Sequence, residues 1–361
     1  MNATVIDDGV GPAPAVGQAV PRTTDHRFEF SGDAREYFRI WIVNLALGIV
    51  TLGIYSAWAK VRTQRYFYAN TRVAGAPFDY QAQPLAILKG RLIALVLFGG
   101  YALAGQFDVR VQLALALLIA LLAPWLVVRG AAFRARYSAW RGINFRFVPD
   151  YKQAYIRYLA LYLFVPFTLG LLYPFVKAKQ KAFLVEQHRY GGVPFRFTAT
   201  PGDFYPSYLA AFACGFIWSM LLSFVMVGAI GRHVSVDGTP PPMLVYGFPL
   251  LMYAGYFVIF AFLNASISNL VYNAVRLDNH RLHSTLRGSK LLWIYASNTL
   301  AILASIGMLI PWAMIRLARY RAECLTLLQA GDLDAFVATA QTDVDATGAE
   351  MDSVFDIDIG L

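Results

Sequence analysis

The chain alternates between long apolar runs and shorter stretches rich in basic and aromatic residues. A helix needs about 20 mainly apolar residues to cross a bilayer. Several runs reach that length or approach it with their flanks, and they contain no acidic residue. By apolarity alone, the candidate spans are Leu92–Gly105, Val111–Val128, Tyr208–Ile230, Met243–Leu263 and Leu291–Ile315.

Three apolar runs carry glycine or proline at matching places. Tyr37–Trp58 is interrupted at Gly53, and Tyr155–Val176 and the run ending at Ile315 are interrupted in the same register. Such breakers predict a bent or discontinuous helix, or a re-entrant hairpin buried by its neighbours. An ordinary kinked helix that crosses the membrane is the alternative.

Short stretches in which aromatic and polar residues alternate predict β-strands. They lie at residues 27–31, 76–80, 143–147 and 193–197, and we expect them to pair into a small cytoplasmic sheet. The predicted fold is therefore an all-α polytopic membrane protein with internal repeats and short cytoplasmic β-strands.

The repeats are visible in the residues themselves. TLGIYSAWAKVR at 51–62 returns as TLGLLYPFVKAK at 168–179, an offset of 117 that holds without a gap from Phe28 to Pro84. A weaker third copy follows at an offset of 254. We predict a leader at 1–25, repeat units at 26–142 and 143–275, a partial unit at 276–330 and an acidic tail at 331–361, with 26–330 forming one membrane domain.

The distribution of positive charge favours one topology. If the broken runs re-enter and only the helices of the two long hairpins cross, 29 of the 31 Lys and Arg face the cytoplasm, and only Arg110 and Arg232 lie outside. Seven crossings would place many basic residues outside, against the positive-inside bias. We therefore expect a multi-pass protein of the bacterial inner membrane with both termini in the cytoplasm.

Composition agrees with a membrane protein. Hydrophobic residues make up 58% of the chain and charged residues 15%. The net charge of +9 is better explained by cytoplasmic loops and anionic phospholipid headgroups than by nucleic acid.

Neither a catalytic set of residues nor a phosphate-binding glycine loop is found, so we expect no enzyme and no cofactor. His280 and His283 beside Asp278 make only a weak metal pattern, and no metal site is predicted.

The polar and breaker positions of the broken runs are the candidate substrate pathway, since broken helices expose backbone groups that can hold solutes or ions. Asn44 and Asn298 share a register, and helix–helix hydrogen bonding is their alternative role. The candidates are Asn44, Thr51, Gly53, Thr168, Gly170, Asn298 and Gly307.

A second group of candidates is basic and recurs just inside the expected membrane. Lys and Arg among aromatic residues reach lipid headgroups by extending along the apolar surface. These predicted contacts with headgroups or anions are Lys60, Arg62, Arg65, Lys177, Lys179, Lys181, Arg316 and Arg319.

These motifs resemble a bacterial inner-membrane family named after YjgN. The resemblance rests on F-x-F-x-G at 28–32, on Asn44 followed by TLGIYSAWAKVR, on N-T-x3-G-x2-F-x-Y at 70–80 and on FDIDIG at 355–360. That family is a domain of unknown function, so the resemblance implies location and architecture without a substrate. Two function classes stay open: a transporter or channel for small solutes or ions, and a lipid-interacting or scaffolding protein without a pathway.

Overall fold

The computed structural model describes residues 23–233 and 247–341. Within these residues, eleven strands form one antiparallel sheet that curls into a nearly closed barrel. The strands are β1 (Thr23–Arg27), β2 (Glu29–Phe30), β3 (Thr71–Val73), β4 (Ala76–Tyr80), β5 (Ser138–Trp140), β6 (Ile143–Phe147), β7 (His188–Tyr190), β8 (Val193–Phe197), β9 (Val275–Leu277), β10 (His280–Ser284) and β11 (Leu325–Ala330).

The first residues of the described chain close the barrel. β1 and β2 are separated only by Phe28, yet they stand at opposite ends of the strand order, β1-β11-β10-β9-β8-β7-β6-β5-β4-β3-β2. β1 pairs with β11 and β2 pairs with β3. This interrupted strand thereby covers both edges of the sheet, and closure protects edges that would otherwise invite aggregation.

Two-residue turns join the strands within each hairpin. Ala74 and Gly75 have φ of 49° and 74°, and Arg141 and Gly142 have φ of 48° and 80°. Positive φ at both central residues is the type I′ geometry, which matches the twist of the flanking strands. These turns lie at one end of the barrel, and the chain continues into helices at the other.

The helices form five helical hairpins that alternate with the strand hairpins. Their helices are α1 (Ala34–Val50) with α2 (Ser56–Ala69), α3 (Pro84–Phe107) with α4 (Val109–Arg136), α5 (Tyr151–Tyr155), a π-helix (Ile156–Ala160) and α6 (Leu161–Leu163) with α7 (Tyr173–Glu186), α8 (Tyr205–His233) with α9 (Phe248–Asn273), and α10 (Gly288–Ala304) with α11 (Ile310–Glu323). Two short 3₁₀ turns, Pro166–Thr168 and Pro201–Phe204, complete the set.

One backbone hydrogen bond recurs five times around the barrel rim. Each time, the residue just after a strand donates to the carbonyl at the end of the helix that leads into the neighbouring strand. This series shows that the helical hairpins all leave the same rim. The pairs are Ser31–Asn70 (3.0 Å), Gln81–Tyr137 (2.9 Å), Val148–Gln187 (2.8 Å), Thr198–Ala274 (3.0 Å) and Thr285–Cys324 (2.9 Å).

Two of the helical hairpins are long enough to cross a membrane. Four helices qualify by length and composition among the described residues: Pro84–Phe107, Val109–Arg136, Pro201–Gly228 and Phe248–Asn273. At about 1.5 Å per residue, each exceeds the roughly 30 Å hydrocarbon core. They are the helices of the two hairpins that the favoured topology assigns to crossings.

The three broken runs fold as shorter helical hairpins. In the first, the chain reverses between α1 and α2, where Leu52 has φ 49° and Gly53 has φ 90°. The amide of Gly53 donates to the carbonyl of Gly48 at 2.8 Å. Leu169–Gly170 and Ile306–Gly307 repeat these positive φ values at the matching turns. Glycine suits such a position because it has no Cβ.

The prediction of an all-α fold with only short strands is wrong, because the strands build a barrel of eleven. The four predicted stretches are present, but four strands of three residues directly follow helices and are too short to show a period of two. β10 contains His280 and His283, which the sequence presents as a weak metal pattern, and no predicted stretch corresponds to β11.

The chain ends also differ from the predicted division. β1 begins at Thr23, so residues 23–25 of the predicted leader belong to the barrel. Residues 333–341 of the predicted acidic tail are helical, and we call them the plug helix. Residues 353–361, where the alternation in SVFDIDIGL predicts a strand, lie outside the described residues. The boundaries of the repeat units stay a prediction.

Candidate functional site

Phenylalanines line the middle of the barrel. Alternate residues of each strand point inward, and the central inward positions of β4, β6 and β8 are Phe78, Phe145 and Phe195. Phe28 stacks on Phe78 with ring centroids 6.1 Å apart, and Phe145 stacks on Phe195 at 6.3 Å. The lumen is therefore apolar and aromatic.

The plug helix closes the turn end of this lumen. Leu333 and Ala340 are buried, and the ring of Phe336 lies 5.9 Å from Tyr190 and 4.8 Å from His280. An ion pair with a strand turn accompanies this packing, between Arg141 and Asp334 at 2.5 Å.

At the opposite end, below the helical hairpins, the barrel opens into a cavity of about 490 Å³. That volume is within the range of small-molecule sites, roughly 300–1,000 Å³. We call it the rim cavity. Phe28, Phe78, Phe145, Phe67, Tyr68, Thr71, Ala135, Ser138, Arg134 and His188 line it.

Cations without acidic partners stand beside these aromatic rings. Arg134 lines the cavity, and Lys60 lies two helical turns before Phe67, on the same face of α2. Burial and the charges of Arg91 and Arg134 lower the pKa of Lys60. Within residues 23–233 and 247–341, none of these three cations forms an ion pair. Their mutual repulsion would be relieved by an anion.

His188 contributes a neutral group to the same wall. Its Nδ1 contacts the carbonyl oxygen of Leu184, and its ring meets Phe147 edge-on at 5.1 Å. Burial lowers the pKa of His188, and the charge of Arg134 lowers it further. The imidazole is therefore uncharged near pH 7 and adds little to the positive charge.

The candidate pathway residues at the hairpin turns stabilise the turns through local hydrogen bonds and positive φ values. Thr51 Oγ1 donates to the carbonyl of Leu47 at 2.6 Å and accepts from the amide of Tyr55 at 2.9 Å. Thr168 repeats this with Val165 and Leu172. Gly53, Gly170 and Gly307 supply the positive φ values. These groups lie in three separate hairpins, and their polar atoms are used locally.

Asn44 and Asn298 differ although they share a register. Asn298 donates to the carbonyl of Ala313 at 3.2 Å and accepts from Arg316 at 3.1 Å, so it links α10 to α11. The amide of Asn44 is buried and has no hydrogen-bond partner in the described part of the chain. Neither asparagine lines the rim cavity or the second cavity described below.

The basic candidates are distributed over several environments. Lys60 lies close enough to Arg134 for the two charges to interact, whereas Arg65 donates to the carbonyl of Tyr80 at 3.2 Å. Arg62 and Lys181 are exposed. Lys177 lies 5.2 Å from the ring of Tyr173, and Lys179 lies 5.5 Å from Phe175. Arg316 and Arg319 line a second cavity of about 300 Å³.

Arg134, His188 and the phenylalanines of the lumen were missed as site residues. A signal for the lumen existed, because Phe28 and Phe78 recur at the 117-residue offset as Phe145 and Phe195. Arg134 and His188 have no such pattern, and only the fold brings them together.

Comparison with known proteins gives a family. The profile of a family described as "Bacterial protein of unknown function (DUF898)" matches residues 25–354. The inner membrane protein YjgN of Salmonella typhimurium is 29% identical over 138 residues, 38% of this chain and 35% of the relative. YjgN of Escherichia coli K12 is 32% identical over 123 residues, 34% of this chain and 31% of the relative.

The chain thus matches about a third of the length of these curated relatives. No solved structure matches. The family profile covers most of the chain, and four described helices are long and apolar enough to cross a membrane. The chain is an integral membrane protein and belongs to the bacterial family of unknown function DUF898.

Proposed function

We propose that this protein is a multi-pass protein of the bacterial inner membrane that binds an anionic amphiphile in the rim cavity. The observation that carries the proposal is the placement of Arg134 at an aromatic cavity, with Lys60 close enough for the two charges to interact and no ion pair to either within the described residues. The alkyl part of the ligand would lie against Phe28, Phe78 and Phe145. Its anionic head would lie at the cations.

This arrangement would give a favourable binding free energy to both the alkyl part and the anionic head of such a ligand. Removing apolar surface from water contributes about 25 cal/mol per Å². Hydrogen bonds to a charged group contribute roughly 1.5–3 kcal/mol. A neutral amphiphile would gain only the first contribution and would leave the positive charges uncompensated.

The location supports the same function. The relatives' names place them in the inner membrane, and the positive-inside bias favours a cytoplasmic barrel. Both termini are then cytoplasmic. The rim cavity would lie at the level of the cytoplasmic leaflet, where anionic headgroups are found. The function proposed is binding, without catalysis or a cofactor.

Transport of a small solute or ion stays a prediction. The hydroxyl groups of Thr51 and Thr168 and the amide of Asn298 are already hydrogen-bonded. The geometry therefore supports the lipid-interacting class better than a polar pathway through the broken runs.

The experiment compares two monoacyl probes with the same lauroyl chain. The purified full chain in neutral detergent is titrated with lysophosphatidylglycerol, which is anionic, and with lysophosphatidylcholine, which is zwitterionic. Native mass spectrometry measures the bound probe. We expect about tenfold tighter binding of the anionic probe, equivalent to roughly 1.4 kcal/mol.

Variants locate the binding. Arg134→Gln and Lys60→Gln are expected to remove most of the preference for the anionic probe. Arg62→Gln is the matched control, because it removes the same charge from α2 on the face away from Lys60. Equal binding of the two probes by the wild type would overturn the proposal, as would an equal loss in the control.

A further inference from the structure

The second cavity lies where the first and last helical hairpins meet. It has a volume of about 300 Å³ and is bounded by the start of α1 and by α10 and α11. We call it the seam cavity. Its lining combines aromatic, cationic and acidic side chains: Asp33, Ala34, Lys290, Trp293, Ile294, Trp312, Ile315, Arg316, Arg319, Tyr320 and Glu323.

The residues of α11 in this cavity follow a fixed order along one helix face. Trp312, Arg316, Arg319 and Glu323 are spaced by four, three and four residues, which places them on one stripe. At about 1.5 Å per residue, the stripe runs from an aromatic ring near the hairpin turn, through two cations, to a carboxylate near the barrel rim.

Both arginines are held in place by uncharged groups. Arg316 Nη1 donates to Ser297 Oγ at 2.6 Å and to Asn298 Oδ1 at 3.1 Å, and its guanidinium lies 5.2 Å from the ring of Trp312. Arg319 Nη2 donates to the carbonyl of Gly32 at 3.1 Å. These bonds fix the orientation of the two guanidinium groups and leave their charge uncompensated.

The third cation and one of the two acids come from neighbouring helices. Lys290, at the start of α10, lies 4.9 Å from the ring of Tyr320. Asp33 caps α1, and the backbone amides of Glu36 and Arg35 lower the pKa of its carboxyl. In the described chain, neither Asp33 nor Glu323 forms an ion pair with the cations of the cavity.

Trp312 marks the membrane side of the cavity, whereas Trp293 lies about one helical turn after Lys290, nearer the barrel rim. Trp293 is 67% exposed and Trp312 is 37% exposed. Tryptophan is enriched where apolar chains meet polar headgroups. The hairpin turn beyond them carries Leu303 and Ile306, which are 70% and 95% exposed. An apolar surface therefore continues from Trp312 toward the turn.

We infer that the seam cavity binds a membrane phospholipid whose headgroup carries both a phosphate and a primary ammonium group. The phosphate would lie between Arg316, Arg319 and Lys290. The ammonium group would donate hydrogen bonds to Glu323 and Asp33, which are closer to the barrel and the aqueous side. The acyl chains would lie along Trp312 and the exposed apolar side chains of the hairpin turn.

The order of groups along α11 is what selects this chemistry. In such a lipid, the phosphate lies between the acyl chains and the amine, and the stripe presents an aromatic ring, two cations and an acid in the same order. An anionic lipid without an amine would leave the carboxylates unpaired. α2 carries Trp58, Arg62 and Arg65 at the equivalent positions but has Ala69 in place of the acid.

The test is a titration in neutral detergent of the purified full chain carrying Arg134→Gln, which removes the preference of the rim cavity for anionic lipid, followed by native mass spectrometry. Three diacyl probes with identical chains are compared: phosphatidylethanolamine, phosphatidylcholine, whose quaternary amine has no N–H, and phosphatidylglycerol, which has no amine. We expect the ethanolamine lipid to bind about tenfold more tightly than either of the others.

Two variants separate the parts of the headgroup. Glu323→Gln is expected to remove most of the preference for ethanolamine over glycerol while binding of the glycerol lipid persists. Arg319→Gln is expected to weaken all three lipids about tenfold. The matched control is Glu186→Gln, because Glu186 occupies the same register on α7 and does not line the seam cavity.

Three outcomes would overturn the inference: equal binding of the three lipids by the Arg134→Gln variant, unchanged binding when Arg319→Gln is added to it, or a loss of preference on adding Glu186→Gln that equals the loss on adding Glu323→Gln. Thermal unfolding of each variant establishes that it is folded. The inference does not rest on the rim cavity. Arg134→Gln removes the anion preference of the rim cavity and leaves every residue of the seam cavity in place, so failure of one site is distinguishable from failure of the other.

Discussion

The hydroxyl of Tyr66 joins the two ends of the first helical hairpin by accepting a hydrogen bond from the backbone amide of Asp33 at 2.9 Å. The same hydroxyl lies 3.0 Å from the carbonyl of Asp33. In the last hairpin, the hydroxyl of Tyr320 likewise accepts a hydrogen bond from the backbone amide of Arg287 at 2.9 Å. The middle hairpin has Phe183 at this register. We call this pair of contacts between the tyrosine hydroxyl and the backbone the clasp. It therefore exists in two of the three short hairpins.

Replacing Tyr66 by phenylalanine should destabilise the protein by about 1–2 kcal/mol, because the amide of Asp33 loses its partner in a partly buried setting. Thermal unfolding in detergent measures the change. Tyr320→Phe should cost a similar amount. A loss below about 0.5 kcal/mol in both variants would show that the clasp contributes little.

The same clasp predicts a dependence on alkaline pH. Burial, foremost, raises the pKa of Tyr66 to about 12, against 10.0 for a free tyrosine. The unfolded chain therefore loses this proton at lower pH than the folded chain. The stabilisation is complete below pH 10 and is lost as the pH rises toward 12. The difference in stability between wild type and Tyr66→Phe should shrink over that interval.

Replacing Gly53 by alanine in the turn of the first hairpin should destabilise the protein. A Cβ there meets no neighbouring atom, but the backbone has φ 90°, and left-handed geometry costs an L-residue roughly 1–2 kcal/mol. Gly48→Ala is the control. Gly48 lies inside α1 with open space around it, so alanine should stabilise there by up to about 1 kcal/mol. Opposite signs in thermal unfolding are expected, and equal signs would contradict this account of the turn.

Packing, rather than the ion pair, should hold the plug helix. Phe336→Ala removes ring contacts with Tyr190 and His280 and should cost about 2 kcal/mol. Asp334→Ala removes the ion pair with Arg141. The side chain of Asp334 is 85% exposed, so this change should cost less than about 1 kcal/mol. The reverse order in unfolding measurements would show that the charge dominates.

Single-cysteine labelling tests the orientation of the barrel. In a background without Cys214 and Cys324, cysteines are placed at Arg281, exposed on β10, and at Arg110, at the far end of a long hairpin. An impermeant maleimide should label position 110 in intact cells and position 281 only in inverted membrane vesicles. Labelling at position 281 in intact cells would show that the barrel faces outward.

The candidate sites were only partly accessible to sequence reasoning. Lys60, Arg316 and Arg319 were recognised because basic residues recur in register. Arg134 and His188 were not, since they are 54 positions apart in the chain and share no repeat. The pathway candidates at the turns have a recurring pattern because every hairpin reversal needs the same caps and the same positive φ.

The sequence by itself determined the features that depend on neighbouring residues. Apolar length marked the four long helices, glycine and proline marked the hairpin turns, and alternation marked β4, β6 and β8 together with the short β2. Each of these signals arises within a window of a few helical turns, where side-chain periodicity and backbone limits act directly.

Only the tertiary structure decided that the strands form a barrel and that cavities lie at its rim and seam. His26 meets Gln329 across 303 residues of chain, and the seam cavity combines Asp33 with Glu323. Strands of three residues carry no readable period. Their backbone groups find partners only when distant edges meet, and this long-range pairing brings the cations to the aromatic lumen.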